Sequence, residues 1–364
     1  MGVTLDFSRA RRADVVVGCS PLLELMAALH VVAEPDHHPE SAEWLGALSA
    51  QVSVELAGEL TYFAPLWARY RCPVFFPTVG RLGLPLEEEL ARIHRLPTET
   101  FIDLVCVGVL GSPTVQVPPA GQLLSDARSR AEYLAQCARR SHQRTELARA
   151  LLADADGFRH RLLTALDRCA DEFFTKRWRE LAPALGSVVE KVRRQLAERP
   201  PAEVVGQLAP AATHHPGRAR VRFDKLQLDD LSIGPRPLLV VPSAHVWPHV
   251  TVKDEDPACV VLHVPVPELA PFPLITLRQL HDRLSALSSP GRMELCRHLL
   301  AEPSTISELA SRMGRPQPHV SRMLRQLRDA GLVRSERDGR WVRHRLDTEV
   351  LRRLGPDVLT TITR

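Results

Sequence analysis

From Ser20 to about Leu196, apolar residues recur at helical spacing, as in Leu22, Leu23, Met26 and Leu29, or in Phe158, Leu162 and Leu166. This pattern predicts a run of amphipathic helices broken by proline-containing loops. The apolar stretch from Val15 to Ala33 approaches membrane-spanning length, but Ser20-Pro21 can cap and start a helix inside it, and Glu24 and His30 interrupt it. It reads as a strand followed by a core helix. Beyond residue 200 the period changes: ARVRFDKLQLDDLSI alternates, PLLVVP and ACVVLHVPV are β-branched runs, and prolines punctuate them. A small β-rich lobe is expected there, followed by the proline-rich linker PVPELAPFPLI over 265–275.

After the linker the pattern is helical again. LRQLHDRLSALSSPGRMELCRHLL predicts one helix to about Leu287 and a second opened by Ser289 as N-cap and Pro290 at its first position. STISELASRMG follows, with Thr305 three residues before Glu308 as a capping box and Gly314 as a stop. In GRPQPHVSRMLRQLRDAGLV, Val320, Leu324 and Leu327 recur at i, i+4 and i+7, so one face of a helix over 316–329 can pack on Leu309, Ala310 and Met313. Pro316 and Pro318 fit its first turn, where the backbone N–H groups have no partner within the helix. The outward face carries Gln317, His319, Ser321, Arg322, Arg325 and Gln326, a set able to hydrogen-bond base edges and phosphates in a DNA major groove. LVRSER and RWVRHRL, joined at Asp338-Gly339, predict a hairpin over 332–346. Arg337 and Arg340 flank its tip, and Trp341 is expected to pin it onto the helices. Helix, helix, turn, helix and hairpin make a winged helix-turn-helix. The fold class is α+β, mostly α. It divides into a mainly helical domain over 1–200 for effector binding and dimerisation, a β-rich lobe with linker over 201–271, and the winged helix-turn-helix over 272–364.

Charge supports this placement of the DNA-reading face. Residues 272–364 hold seventeen arginines against ten acidic residues, which leaves the rest of the +4 chain slightly negative. The seven cysteines, at 19, 72, 106, 137, 169, 259 and 296, include no CxxC pair. That favours a reducing cytoplasm over a disulfide framework or a zinc ribbon.

LSALSSPGRMELCRHLL, ISELASRMG and PHVSRMLRQLRDAGLVRSERDGRWVRHRL together resemble the ArsR-type bacterial winged-helix repressors, over roughly the last 90 residues of the chain. More loosely, the preceding residues, including LLVVPSAHVWPHV, are similar to a subgroup of these regulators with a large N-terminal domain of unknown function. The resemblance implies a homodimer that binds an inverted repeat in double-stranded DNA and controls transcription, with Gln317, His319, Ser321 and Arg322 at recognition positions and Thr305 also on the DNA side. Pro316, Pro318, His319 and Met323 depart from the residues commoner at those places, so the DNA sequence read does not transfer. The paired cysteines that metal-sensing members carry on the helix before the recognition helix are absent from SELASRMG. LDTEVLRRLGPDVLTTITR has no histidine, so metal sensing by the family's routes is not expected.

Other residues have a structural reading beside the functional one. Ser243, His245 and His249 lack a GxSxG elbow or a companion acid motif, and read as strand and turn residues rather than a hydrolase site. His37-His38 and His214-His215 sit in proline-flanked loops and read as exposed, so no metal site and no cofactor are expected. Trp44, Tyr62, Phe63, Trp67, Tyr70, Phe75 and Phe76 could line an apolar pocket for a small-molecule effector, with core packing as the alternative. The leading reading is a dimeric cytoplasmic DNA-binding regulator, not an enzyme, controlled by a signal through its N-terminal region. The alternatives are a constitutive or architectural binder whose N-terminal region only dimerises, and an enzyme fused to a DNA-reading domain. The dimer seam is expected along Leu280, Leu284, Leu287, Val350, Leu351 and Leu354.

Overall fold

The structure, a computed structural model, describes residues 2–112, 115–209, 212–214, 217–225, 228–269, 275–339 and 341–363. The chain forms two compact units, residues 1–273 and 274–364. Residues 270–274 of the 265–275 linker are outside the described residues.

The first unit opens with strands β1 (Gly2–Asp6) and β2 (Val15–Val17). Helices α1 (Pro21–Ala33), α2 (Ala42–Ser49), α3 (Val54–Phe63), α4 (Leu86–His94) and α5 (Thr98–Leu110) follow. Next come α6 (Ala120–Ser125), α7 (Ala127–Ala138), α8 (His142–Ala153) and α9 (Ala155–Cys169). A π-turn over Ala170–Phe174 carries α9 directly into α10 (Thr175–Glu198), and α11 (Pro201–Val205) is short. The remaining strands are β3 (Ala212–His214), β4 (Arg220–Phe223), β5 (Leu228–Ser232), β6 (Leu238–Ser243), β7 (Thr251–Lys253) and β8 (Val260–Pro265).

The strand and helix expected from Val15 to Ala33 are β2 and α1. Ser20 caps α1, its hydroxyl accepting from Leu23 N at 3.1 Å, with Pro21 in the first turn. The Glu89 carboxylate of α4 accepts from Ser20 Oγ and Leu22 N, both at 2.7 Å, so the first turn is tied to a second helix. Burial pushes the Glu89 carboxyl up to about 7 despite those donors.

The strands of 201–271 do not form a lobe of their own, which corrects the division at residue 200. One sheet has the order β3-β4-β1-β5 and the other β2-β6-β8-β7, so β1 is an inner strand of the first and β2 an edge strand of the second. β1 pairs antiparallel with β4 and parallel with β5, while β2, β6 and β8 run parallel. The core beneath them mixes Leu5 and Val17 with Val189 and Val192 of α10 and with Phe223 and Val240. Pairing of the chain's start with strands two hundred residues later is a non-local choice that hydropathy patterning does not encode. A separate helical core gathers Leu25, Phe63, Trp67, Phe101, Leu147 and Leu166.

The second unit contains α12 (Leu277–Leu287), α13 (Pro290–Ala301), α14 (Ile306–Arg312) and α15 (Gln317–Asp329). The hairpin β9 (Val333–Asp338) and β10 (Trp341–Leu346) precedes α16 (Thr348–Arg352) and α17 (Leu354–Thr363). Leu309, Ala310 and Met313 share one core with Val320, Met323, Leu324 and Leu327, joined by Leu295, Leu299, Leu332 and Leu346. Among the described residues, no helix is long and apolar enough to cross a membrane.

Candidate nucleic-acid interface

The turn between α14 and α15 is built from local signals. Thr305 and Glu308 form a reciprocal box: the Thr305 hydroxyl accepts from Glu308 N at 3.3 Å, and the Glu308 carboxylate accepts from Thr305 N at 2.7 Å. Thr305 is therefore a cap that fixes where α14 begins. After α14 the chain passes through Gly314 at φ +59°, a left-handed conformation that glycine adopts without a Cβ clash. Pro316 occupies the N-cap of α15, and Pro318 falls in its first turn.

Burial of Val320, Met323, Leu324 and Leu327 decides which way α15 faces. At 100° per residue, Arg322 and Arg325 lie opposite that buried stripe. Both are exposed, as are Gln317 and His319, and Ser321 is half-buried at the margin. Neither arginine has an ion-pair partner among the described residues. The Gln317 amide lies 3.3 Å from Ser307 Oγ at the start of α14, which brings Ser307, not singled out from the sequence, onto the same face. Gln326 is drawn away: its carbonyl accepts from Arg292 of α13 at 2.9 Å, while the same guanidinium donates to the carbonyls of Ser285 and Ala286.

In the wing, β10 pairs antiparallel with β9, with Trp341 opposite Asp338. The turn uses Gly339 at φ +60°. Arg337 is exposed near the tip, and Arg340 lies outside the described residues. Trp341 does not pin the hairpin, since half its surface is exposed. Strand alternation puts it on the side of Arg343 and Arg345, while His344 and Leu346 face inward. The anchor is instead His344, whose backbone exchanges hydrogen bonds with Ser304 at 2.9 and 3.0 Å and whose Nδ1 lies 2.8 Å from Ser335 Oγ.

In the first unit, the seven aromatic residues do not line one pocket. Phe63, Trp67 and Phe75 fill the helical core, and Tyr62 stacks under the Arg161 guanidinium at 4.0 Å. Phe76 packs with Leu23 and Leu239, and Tyr70 with Ala27 and Val246. Phe75 and Phe76 border a narrow crevice beside Glu89 and Arg92, and Trp44 borders a cavity of about 420 Å³, whose wall also includes Glu40, Arg177, Glu180 and His245.

Ser243 ends β6, and His245 and His249 lie in the turn after it, as expected, but that turn is buried and bound to α1. The Glu24 carboxylate accepts from His245 Nδ1 at 2.7 Å, His245 N at 3.1 Å and Ala244 N at 3.2 Å. His38 is also not the exposed loop residue expected. Single turns at Pro35–His37 and Pro39–Ser41 fold that loop inward and leave His38 fully buried. There it meets two other buried imidazoles, with ring centroids 5.1 Å from His30 and 5.4 Å from His249. Burial, and secondarily the neighbouring histidine charge, pushes His30 down to about 3 and His249 well below the usual histidine range. Both are therefore neutral rings.

Residues 1–270 match a family of unknown function, DUF5937, and residues 287–336 match a helix-turn-helix domain. The chain is 37% identical over 73 residues to the HTH-type transcriptional regulator KmtR of Mycobacterium tuberculosis, which is 20% of this chain and 56% of KmtR. It is 37% identical over 82 residues to the transcriptional regulator NmtR of the same organism, which is 22% of this chain and 68% of NmtR. The chain thus spans only about half to two thirds of these relatives' own lengths. An ArsR-like transcriptional regulator from Rhodococcus sp. RHA1 aligns at 28% identity and a TM-score of 0.22, over 24% of this chain and 80% of that one. The chain belongs to the DUF5937 family and carries, after that region, a winged helix-turn-helix of the ArsR type.

Proposed function

We propose that the protein is a dimeric transcriptional repressor that reads an inverted repeat with α15 and the β9–β10 wing, under control of a signal received by residues 1–273. The observation that carries this reading is the solvent-exposed, hydrogen-bonding outward face of α15. Its buried stripe is fixed by the domain core, and Gln317, His319, Arg322 and Arg325 are left in solvent, where among the described residues their side chains make no hydrogen bond or ion pair except the Gln317–Ser307 contact. A helix of this diameter enters the major groove with its N-terminal residues toward the bases. Arg337, exposed near the wing tip, supports a phosphate contact beside it. The input residues are narrowed from the seven aromatics to the cavity bordered by Trp44 and His245.

Arg322→Ala is expected to weaken binding to the operator by about 1–3 kcal/mol while leaving scrambled duplex nearly unchanged, because a base contact is lost. Arg337→Ala is expected to weaken both duplexes alike and to lower the salt slope by about one. Anisotropy titrations at several salt concentrations, on a site selected from genomic DNA, measure both. Equal losses on both duplexes for both variants would remove the assigned roles.

The dimer reading rests on apolar surface that the second unit does not bury. Leu280 is buried, and Leu287, Val350, Leu351 and Leu354 are partly covered. Leu277 and Leu284 on one face of α12, with Leu359 and Ile362 on α17, remain exposed. The two helices are clamped to each other by the buried Arg283–Asp357 pair at 2.7 Å. Leu284→Glu is expected to convert dimer to monomer in sedimentation and to weaken operator binding. A monomeric wild type, or a variant that still dimerises, would contradict this seam.

A further inference from the structure

We propose that His30, His38 and His249 form a binding site for one divalent transition-metal ion of the zinc class, inside the first unit. One ring nitrogen of each lies within 4.8 Å of those of the other two, and all three side chains are buried. The site is independent of the DNA-binding reading, and its ligands lie in no part of the winged helix.

Tautomers argue for a cation. His30 Nδ1 is 3.0 Å from the Ala68 carbonyl oxygen, which only accepts, so Nδ1 carries the proton and Nε2 presents a lone pair. His38 Nδ1 is 3.2 Å from the buried Glu40 carboxylate, so it too is the donor, and His38 Nε2 is left without a partner. His249 Nε2 lies 3.3 Å from His30 Nε2. A neutral His249 with its proton on Nε2 can satisfy the His30 lone pair and leaves that of His38 unmet. A positive ion between the rings satisfies all three. A carbonyl or carboxylate on the far nitrogen is the arrangement that orients metal-binding histidines and raises their basicity.

The donor set selects the ion. Three neutral imidazoles suit zinc, cobalt, nickel or copper, and offer nothing to magnesium or calcium, which take oxygen ligands. Zinc–nitrogen bonds of about 2.0–2.1 Å in a tetrahedron place ligand atoms roughly 3.3 Å apart, so the existing 3.3 Å edge already fits and the wider edges close by small ring rotations. Three protein ligands leave a fourth position for water or a small anion. His30 comes from α1, which follows parallel strand β2, and His249 from the turn after parallel strand β6. The site therefore sits beyond the carboxyl ends of these strands, where open parallel sheets bind ligands. Glu40 borders the 420 Å³ cavity, so an ion crossing that cavity arrives one side chain from His38. Once bound, the ion fastens α1, the 35–41 loop and the 244–250 turn together.

The test uses the full chain, stripped with a chelator and titrated with Zn²⁺ and separately with Co²⁺. One equivalent of zinc by elemental analysis is expected. Cobalt should show tetrahedral ligand-field bands without thiolate charge-transfer absorption, and the first unit should melt at a higher temperature when loaded. His38→Ala and His249→Ala are expected to lose the equivalent, while His214→Ala on β3 retains it. Glu40→Gln should bind roughly ten- to hundred-fold more weakly. Wild type that takes up no ion overturns the proposal whether or not the variants fold. Uptake unchanged in folded His38→Ala and His249→Ala, or thiolate bands with cobalt, does so as well.

Discussion

Glu24→Ala is expected to destabilise the first unit by about 3–5 kcal/mol, because it leaves an imidazole and two backbone N–H groups without their acceptor in the protein interior. The carboxylate is fully buried on α1, yet it receives His245 Nδ1 and the amides of Ala244 and His245. It thus joins the helical half of the unit to the turn that follows the central parallel strand β6. The tryptophans make the measurement specific, since Trp44, Trp67, Trp178 and Trp247 lie in the first unit and only Trp341 in the second. In a Trp341→Phe background, the urea midpoint of the fluorescence change reports the first unit alone. A double-mutant cycle with His245→Ala then isolates the pair, and a coupling near zero would mean that the turn is held by other contacts.

The same carboxylate gives the unit a pH dependence of definite sign. Burial pushes the Glu24 carboxyl up, but the hydrogen bond and charge of His245 and the hydrogen bond from Ser243 outweigh it, leaving the group below its ordinary value of 4.5. The unfolded chain therefore binds the proton at higher pH than the folded one. Glu24's contribution is complete above about 4.5 and is lost as pH falls through the folded value. Wild type is expected to lose urea resistance below that pH more steeply than Glu24→Gln, which has no such proton to take up.

What the sequence revealed and what it hid differ by the range of the interaction. The α14–α15 turn was legible because each signal acts within a few residues: Thr305 on Glu308, Gly314 at its left-handed position, Pro316 and Pro318 in a first turn. Strand β1 was not, since its neighbours β4 and β5 come from more than two hundred residues later and pairing register has no local marker. The size of the Trp341 ring argues for an inward anchor, but the alternation of its strand turns that position outward. The polar, proline-flanked neighbours of His38 predict an exposed residue. Only the packing of its loop against α1 and the 244–250 turn puts it inside, 211 residues from its neighbour His249. The aromatic residues carried an ambiguity that composition does not resolve, because a ring in a core and a ring in a pocket follow the same helical spacing.

Leu327→Ala is expected to cost the second unit about 2–5 kcal/mol and, with it, most operator binding at physiological temperature. Leu327 has no exposed surface and sits in the core shared by α13, α14, α15 and the wing, with Leu309, Val320, Leu332 and Leu346. These neighbours are themselves core residues, so under the proposed reading the loss acts through the position of Arg322 and Arg325 rather than through a contact. At about 0.05–0.15 kcal/mol per residue, a unit of this size holds only roughly 5–14 kcal/mol, and one cavity removes a large fraction of it. Leu327→Met, which keeps the volume, should cost less than about 1.5 kcal/mol and bind normally. Hydrogen exchange of the α15 amides, measured beside operator titrations on the full chain, separates the two effects. If Leu327→Ala exchanges as slowly as wild type yet binds weakly, the residue has a direct part in recognition. If it exchanges fast and binds normally, α15 is not the reading element.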